Sequence, residues 1–87
     1  MNPTKREIEE KQARMTHLKT FLAENIPLAT RDLDAGFFMS AAAKLRLCGL
    51  YSEEIATLLT SIMQLELRLE REQHQQTYLF AGVAPAL

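Results

Sequence analysis

The sequence predicts an all-α fold: a three-helix bundle, or a helical hairpin with an added N-terminal helix, completed by dimerisation. Apolar residues recur at helical spacing along most of the chain. Glycine and proline are scarce, with three of each, and most of them fall between the periodic segments. The chain has 87 residues, 47% of them hydrophobic, and a net charge of −1. That composition is typical of one small globular domain, which we expect to cover residues 1–87.

The first helix is expected from about residue 4 to residue 25. Thr4 is followed three residues later by Glu7, a spacing that matches a capping box for the first turn. An apolar residue then recurs at every seventh position, at Ile8, Met15 and Leu22. Pro27 disfavours the α conformation of the residue before it, so the helix should end there.

The second helix is expected from about residue 30 to residue 48. Thr30 or Asp32 can cap its start, and Gly36 is expected inside it or near a late start. Gly49 suits the left-handed residue that ends a helix, and Leu50 could then pack back on Leu45 in a Schellman motif.

The third helix is expected from about residue 52 to residue 76. Ser52 is the N-cap candidate, and the acidic Glu53 and Glu54 suit the positive end of the helix dipole. Apolar residues occupy heptad a and d positions at Ile55, Leu58, Ile62, Leu65 and Leu69. A second apolar stripe lies beside them at Leu59, Met63 and Leu67. A helix with so much apolar surface needs cover on more than one side.

Residues 77–87 form an apolar tail that is too short to cross a membrane. The expected core consists of large apolar residues from all three helices: Leu18, Leu22, Leu33, Phe37, Leu45, Ile55, Leu58, Ile62 and Leu65. The surplus apolar surface of the third helix and the tail predicts a protein interface. The candidate interface residues are Leu59, Ile62, Met63, Leu65, Leu69, Tyr78, Leu79 and Phe80.

The sequence offers no candidate catalytic, cofactor-binding or metal-binding residues. A glycine-rich phosphate loop is missing, and His17 and His74 have no partner at metal-ligand spacing. Cys48 is the only cysteine, which excludes an internal disulfide and fits a reducing cytoplasm. We therefore expect a cytoplasmic, non-enzymatic protein without cofactors. No secretory signal or membrane span is visible in the sequence.

Residues 49–59 resemble the opening of the helix-turn-helix of sigma factors and LuxR-type regulators. Those families show Gly-Leu, then Glu-Ile-Ala, then Leu at this spacing. The resemblance implies, as the alternative function, a DNA-binding transcriptional regulator using residues 41–60 or 50–71.

The sequence departs from that pattern in both registers. Ser61 and Glu66 stand where residues 50–71 would need apolar anchors. In the other register the recognition helix would begin with Glu53 and Glu54, which repel DNA phosphates. Nucleic acid is therefore not the expected partner.

The preferred hypothesis is a non-enzymatic α-helical protein-binding module, a small adaptor, chaperone or modulator that docks on a larger protein. The expected partner is another protein chain, in a homodimer, in a complex with a larger protein, or both. An amphipathic helix laid into a partner's groove is the natural mode of contact. Secretion-system chaperones and phage or mobile-element accessory proteins are similar in size and shape.

Overall fold

The structure, a computed structural model, describes the backbone of residues 2–80 and the side chains of residues 2–75. The regular structure of this part of the chain is all α-helical, as predicted, but it consists of two helices and one turn. They are α1 (Pro3–Ala35) and α2 (Phe38–Phe80). The helices pack antiparallel as a hairpin about 72 Å long and 21 by 14 Å across. Residues 77–80 of the predicted tail continue α2, and residues 81–87 lie outside the described residues.

Each helix buries one stripe of residues whose spacing alternates between three and four, which is the a/d pattern of a coiled coil. We call the two facing stripes the seam. Its members are all buried or half-buried. In α1 they are Thr4, Ile8, Lys11, Met15, Leu18, Leu22, Asn25, Ala29 and Asp32. In α2 they are Ala41, Lys44, Cys48, Tyr51, Ile55, Leu58, Ile62, Leu65, Leu69 and Glu72.

The hydrophobic core lies towards the open end of the hairpin, away from the turn. Ile8 packs there with Ile62 and Leu65, and Met15 and Leu69 lie against this cluster. Leu18 is completely buried. These side chains hold the two helices together over the half of the seam that contains large apolar residues.

The predicted end of the first helix at Pro27 is wrong, because Pro27 lies inside α1. An interior proline costs about 3 kcal/mol, since it removes one backbone hydrogen bond. Pro27 lies on the exposed side of α1, where water can solvate the carbonyl of Ala23 that loses its amide partner. The seam continues on both sides, and Ala29 is completely buried. Packing against α2 therefore keeps the helix continuous.

The chain turns at Gly36 rather than at Gly49. Gly36 has φ 83°, and its N–H donates to the Leu33 carbonyl at 3.1 Å. The N–H of Phe37 donates to the Asp32 carbonyl at 2.8 Å, which completes a Schellman motif. Gly49 lies inside α2, where the seam runs past it without interruption. The turn thus divides the predicted second helix: residues 30–35 belong to α1, and the part from Phe38 is one helix with the predicted third helix. The proposed separate N-terminal helix is part of the hairpin.

The N-cap of α1 is Asn2, whereas the sequence pattern had indicated Thr4. The Asn2 side chain accepts from the N–H groups of Thr4 at 2.7 Å and Lys5 at 3.3 Å, and Pro3 follows in the first helical position. Thr4 is instead buried in the seam. Ser52, Thr30 and Asp32, the other predicted caps, all lie within helices.

The predicted core is correct at the open end and wrong near the turn. Three of its members are buried (Leu18, Ile62, Leu65), three are half-buried (Leu22, Ile55, Leu58) and three are exposed (Leu33, Phe37, Leu45). The exposed ones were expected to face a third helix. In a two-helix hairpin no such helix covers them.

The described fold does not divide residues 41–60 or 50–71 into two helices joined by a turn. Helix α2 passes through both stretches without a break. The geometry implied by the resemblance to the helix-turn-helix is therefore absent from this segment, because that motif needs a second helix at a steep angle to the first.

Replacing the two glycines by alanine should change stability in opposite directions. Gly36→Ala places a side chain at positive φ and should destabilise by about 1–2 kcal/mol. Gly49→Ala adds a methyl group with no atom within 4 Å of it, in a helix interior, and should stabilise by up to about 1 kcal/mol. Urea unfolding followed by circular dichroism at 222 nm measures both changes. If both replacements changed the free energy of unfolding in the same direction, the placement of the turn at Gly36 would be contradicted.

Candidate interaction surface

Two rows of residues flank the seam, at heptad positions e and g. In an antiparallel pair the e rows of the two helices lie on one side and the g rows on the other. The two sides differ in character. The g side carries cross-helix ion pairs in the open half and the apolar Phe21, Leu28 and Leu47 towards the turn, and we call it the charged flank. The e side carries large apolar residues near the turn.

On the charged flank, ion pairs within the chain join α1 to α2. Arg14 binds Glu54 through two contacts, Nε to Oε2 at 2.7 Å and Nη2 to Oε1 at 3.2 Å. Arg68 lies 3.5 Å from Glu7 across the helices. These pairs are exposed, so each contributes little to stability. Their main effect is to fix the register of α1 against α2.

A polar cluster lies at each end of the seam. At the open end Glu72 accepts from the Thr4 hydroxyl at 3.0 Å and from Nδ2 of Asn2 at 3.2 Å. Next to the turn, Asp32 accepts from the Ser40 hydroxyl at 2.7 Å and forms an ion pair with Lys44. Both clusters join α1 to α2, so they oppose sliding of one helix along the other.

Hydrogen bonds to these carboxylates lower their pKa values. The pKa of Asp32 is lowered by the hydrogen bond from Lys44 and then by that from Ser40. The pKa of Glu72 is lowered by the hydrogen bonds from Asn2 and Thr4. The hydrogen bond from Arg14 lowers the pKa of Glu54. Each of these groups thus favours the folded hairpin in its ionised form.

The seam changes composition near the turn. From Asn25 to Cys48 its members are small or polar: Asn25, Ala29, Asp32, Ala41, Lys44 and Cys48. The large apolar side chains of this half lie on the outside of the helix pair. Because they are outside the seam, the hairpin gains little hydrophobic stabilisation from them.

We call these exposed residues the turn-end surface. Of the twelve large apolar residues exposed in the described part of the chain, nine lie between residues 26 and 50. They are Ile26, Leu28, Leu33, Phe37, Phe38, Met39, Leu45, Leu47 and Leu50. The other three are Leu59, Met63 and Leu67. Exposure is greatest at the turn itself, where it reaches 88% at Met39.

One side of this surface continues along the helix pair, and we call it the apolar flank. It consists of the large apolar residues at e positions: Ile26 and Leu33 from α1, with Phe38, Leu45 and Leu59 from α2. Each is between 45% and 67% exposed. Towards the open end the e positions become polar and include Lys5, Lys19 and Glu66. Within the described side chains, none of these three forms an ion pair.

The structure separates the residues that the sequence suggested as an interface. Ile62 and Leu65 are buried in the seam, and Leu69 packs against them. Leu59 and Met63 are exposed. The side chains of Tyr78, Leu79 and Phe80 lie outside the described residues. The residues around the turn were missed as a surface, although extending the heptads of the first helix through Pro27 would have placed Leu33 at an e position, and extending those of the third helix back through Gly49 would have done the same for Leu45.

The described side chains show no arrangement suited to metal chemistry. No group of three or more His, Cys, Asp or Glu residues among them could hold a metal ion. Cys48 is a buried free thiol. Within the described residues, neither helix has a stretch long and apolar enough to cross a membrane.

Comparisons of this chain with known protein families, with curated proteins and with solved structures found no match.

The hairpin should lose stability in acid. The three carboxylates have folded pKa values below their usual values near 4, so their stabilising contribution is complete above about pH 4.5. It is lost as the pH falls through the lower, folded pKa values. The melting temperature should be constant from pH 7 to pH 5 and fall below pH 4.

The variants Asp32→Asn and Glu72→Gln should melt at lower temperature than the natural chain at pH 7. Below pH 4 their melting temperatures should change less with pH than that of the natural chain. Glu9→Gln removes an exposed carboxylate that forms no ion pair with any described side chain, and it serves as the control, with an unchanged profile. Thermal unfolding by circular dichroism between pH 3 and pH 7 gives the profiles. A melting temperature that stays level or rises in acid would contradict this account.

Proposed function

We propose that this chain is a non-enzymatic protein-binding module, a small adaptor, chaperone or modulator that docks on a larger protein through the turn-end surface. The observation that supports the proposal is the concentration of exposed large apolar residues around the turn. Contiguous apolar patches beyond a few hundred Å² are uncommon on monomeric proteins and mark interaction sites.

The residues at the turn suit a protein partner. Phe37, Phe38 and Met39 are 63%, 67% and 88% exposed. Aromatic residues and methionine are enriched in protein interfaces, and methionine adapts to irregular surfaces. Removing this surface from water is worth roughly 25 cal/mol per Å² of apolar area. A partner with an apolar groove would therefore gain binding energy here that the free hairpin cannot use.

The hairpin presents this surface on a stiff support. The Schellman motif at Gly36 and the Asp32–Ser40–Lys44 cluster hold the two helices together beside the turn. The surface is thus ordered before binding, and the entropy cost of association falls. A role as an accessory protein in a secretion system or a mobile element, in a reducing cytoplasm, is compatible with this design and belongs to the same proposal.

The test compares two pairs of exposed apolar residues in a tagged chain expressed in its native host. Phe37→Ser with Met39→Ser removes two side chains at the turn. Met63→Ser with Leu67→Ser, at 67% and 59% exposure, removes a matched pair from the open half. Affinity purification with quantitative mass spectrometry should recover a larger protein with the natural chain and with the control pair. The turn variant should recover at least tenfold less, since an interface hot spot contributes about 2 kcal/mol or more.

The recovered protein must then be shown to bind directly. Isothermal titration calorimetry with the purified partner should rank the three chains as the affinity purification does. The natural chain and the control pair should bind with similar affinity, and the turn variant should bind at least tenfold more weakly. Equal binding by the turn variant, or no specific binding by the natural chain, would overturn the proposal.

A further inference from the structure

We propose that a second copy of this chain covers the apolar flank, so that two hairpins form a four-helix bundle. This inference deepens the proposed function, because it rests on the turn-end surface being a binding surface and names the occupant of one side of it. The other side, with Leu28, Leu47 and Leu50, and the turn residues Phe37 and Met39 stay available to a larger protein.

The position of the apolar residues in the heptad indicates a bundle of more than two helices. A two-stranded coiled coil needs apolar residues only at a and d. Helices that face a larger bundle are apolar at a, d and a third position, either e or g. Here e carries five large exposed apolar residues, at Ile26 and Leu33 of α1 and at Phe38, Leu45 and Leu59 of α2, whereas g carries two, Leu28 and Leu47. Both helices of the hairpin are apolar on the same side, as one continuous bundle core requires.

The small size of the seam residues near the turn supports the same arrangement. Ala29, Ala41 and Cys48 occupy seam positions where a self-sufficient hairpin would carry large residues. Large side chains stand beside them at e positions instead. Packing two apolar flanks together would place these side chains in the centre of a four-helix core.

The exposed area matches what a dimer needs. The five residues of the apolar flank are 45–67% exposed and offer on the order of 450 Å², if a fully exposed large apolar residue contributes roughly 180 Å². Each partner of a standard interface buries about 800 Å², of which about 57% is non-polar. The apolar flank therefore supplies the non-polar share of one such interface.

The apolar residues favour one arrangement of the two copies, and the charges towards the open end are compatible with it. With the turn ends of both copies at the same end of the bundle, α1 of one copy lies against α2 of the other. Ile26 and Leu33 then face the partner's apolar residues on α2. Towards the open end, Glu66 of one copy lies between the levels of Lys5 and Lys19 of the other, about one heptad or roughly 10 Å along the bundle from each, and none of the three has an ion pair in the described structure.

The charged flank is unsuited to this role. Its g positions already carry the Arg14–Glu54 and Glu7–Arg68 pairs within one chain. Covering them with a second copy would desolvate these charges at a cost that their mutual attraction does not reliably offset. Self-association should therefore use one flank and leave the other exposed.

Sedimentation equilibrium of the purified full chain between about 1 and 100 µM tests the proposal, and the natural chain should be a dimer. Leu33→Glu with Leu45→Glu places charges on the apolar flank, at sites 46% and 45% exposed, and should give a monomer. Leu28→Glu with Leu47→Glu, at 38% and 43% exposure on the other flank near the same turn, should stay a dimer. Leu33→Ala with Leu45→Ala retains helix propensity and should raise the dimer dissociation constant at least tenfold, which covers the case of a glutamate variant that fails to fold.

Small-angle X-ray scattering checks the register, since the side-by-side bundle keeps the length of one hairpin. A monomeric natural chain, dissociation by the Leu28/Leu47 pair in place of the Leu33/Leu45 pair, or a dimer far longer than one hairpin would overturn the inference. None of these results affects the binding of a larger protein by Phe37 and Met39. If the natural chain is a monomer and the Phe37→Ser, Met39→Ser variant still fails to bind the larger protein, only the proposed dimer is refuted.

Discussion

The unbroken heptad seam determines the rest of this structure. Nineteen positions, nine in α1 and ten in α2, alternate at spacings of three and four without a single skip. A skip would rotate every later residue away from the partner helix and interrupt the packing. Continuity of the seam explains how α1 continues through a proline and α2 through a glycine. At both places the packing of two full helices outweighs a local preference worth about 1–3 kcal/mol.

Large apolar residues alone would permit several registers of this seam, and the polar clusters select one. After a shift of one heptad, Ile8, Ile62 and Leu65 would still face a and d positions of the other helix. The Thr4–Glu72 hydrogen bond and the Asp32–Lys44 pair could not form after such a shift, and each would leave a partly buried polar group unsatisfied. The cross-helix contacts of Arg14 and Arg68 select the same register. Polar groups therefore specify the geometry here, while the apolar cluster supplies most of the stabilisation.

The sequence predicted the helical class and the core of the open half because periodicity is a local signal. Leu18, Ile62 and Leu65 followed directly from their spacing. Helix boundaries depended on which glycine ended a helix, and local rules favoured the wrong one. Gly49 with Leu50 looks as good a Schellman site as Gly36 with Phe37, and only the tertiary pairing of the two helices distinguishes them. The expected third helix came from that choice, and so did the placement of Leu33, Phe37 and Leu45 in the core.

The two halves of the hairpin differ in how much apolar surface they bury between the helices and how much they leave exposed. The open half has large residues in the seam and charges on its flank, so it contains most of the apolar packing between the two helices. The turn half has small and polar residues in the seam and large apolar residues outside it, so its own packing yields little. An isolated helical hairpin gains its stability mainly from packing an amphipathic face. The turn half holds its shape through hydrogen bonds at Gly36 and Asp32 and through its continuity with the open half. Apolar side chains held in this way are positioned for contact with another molecule, since among residues 2–75 no other part of the hairpin covers them.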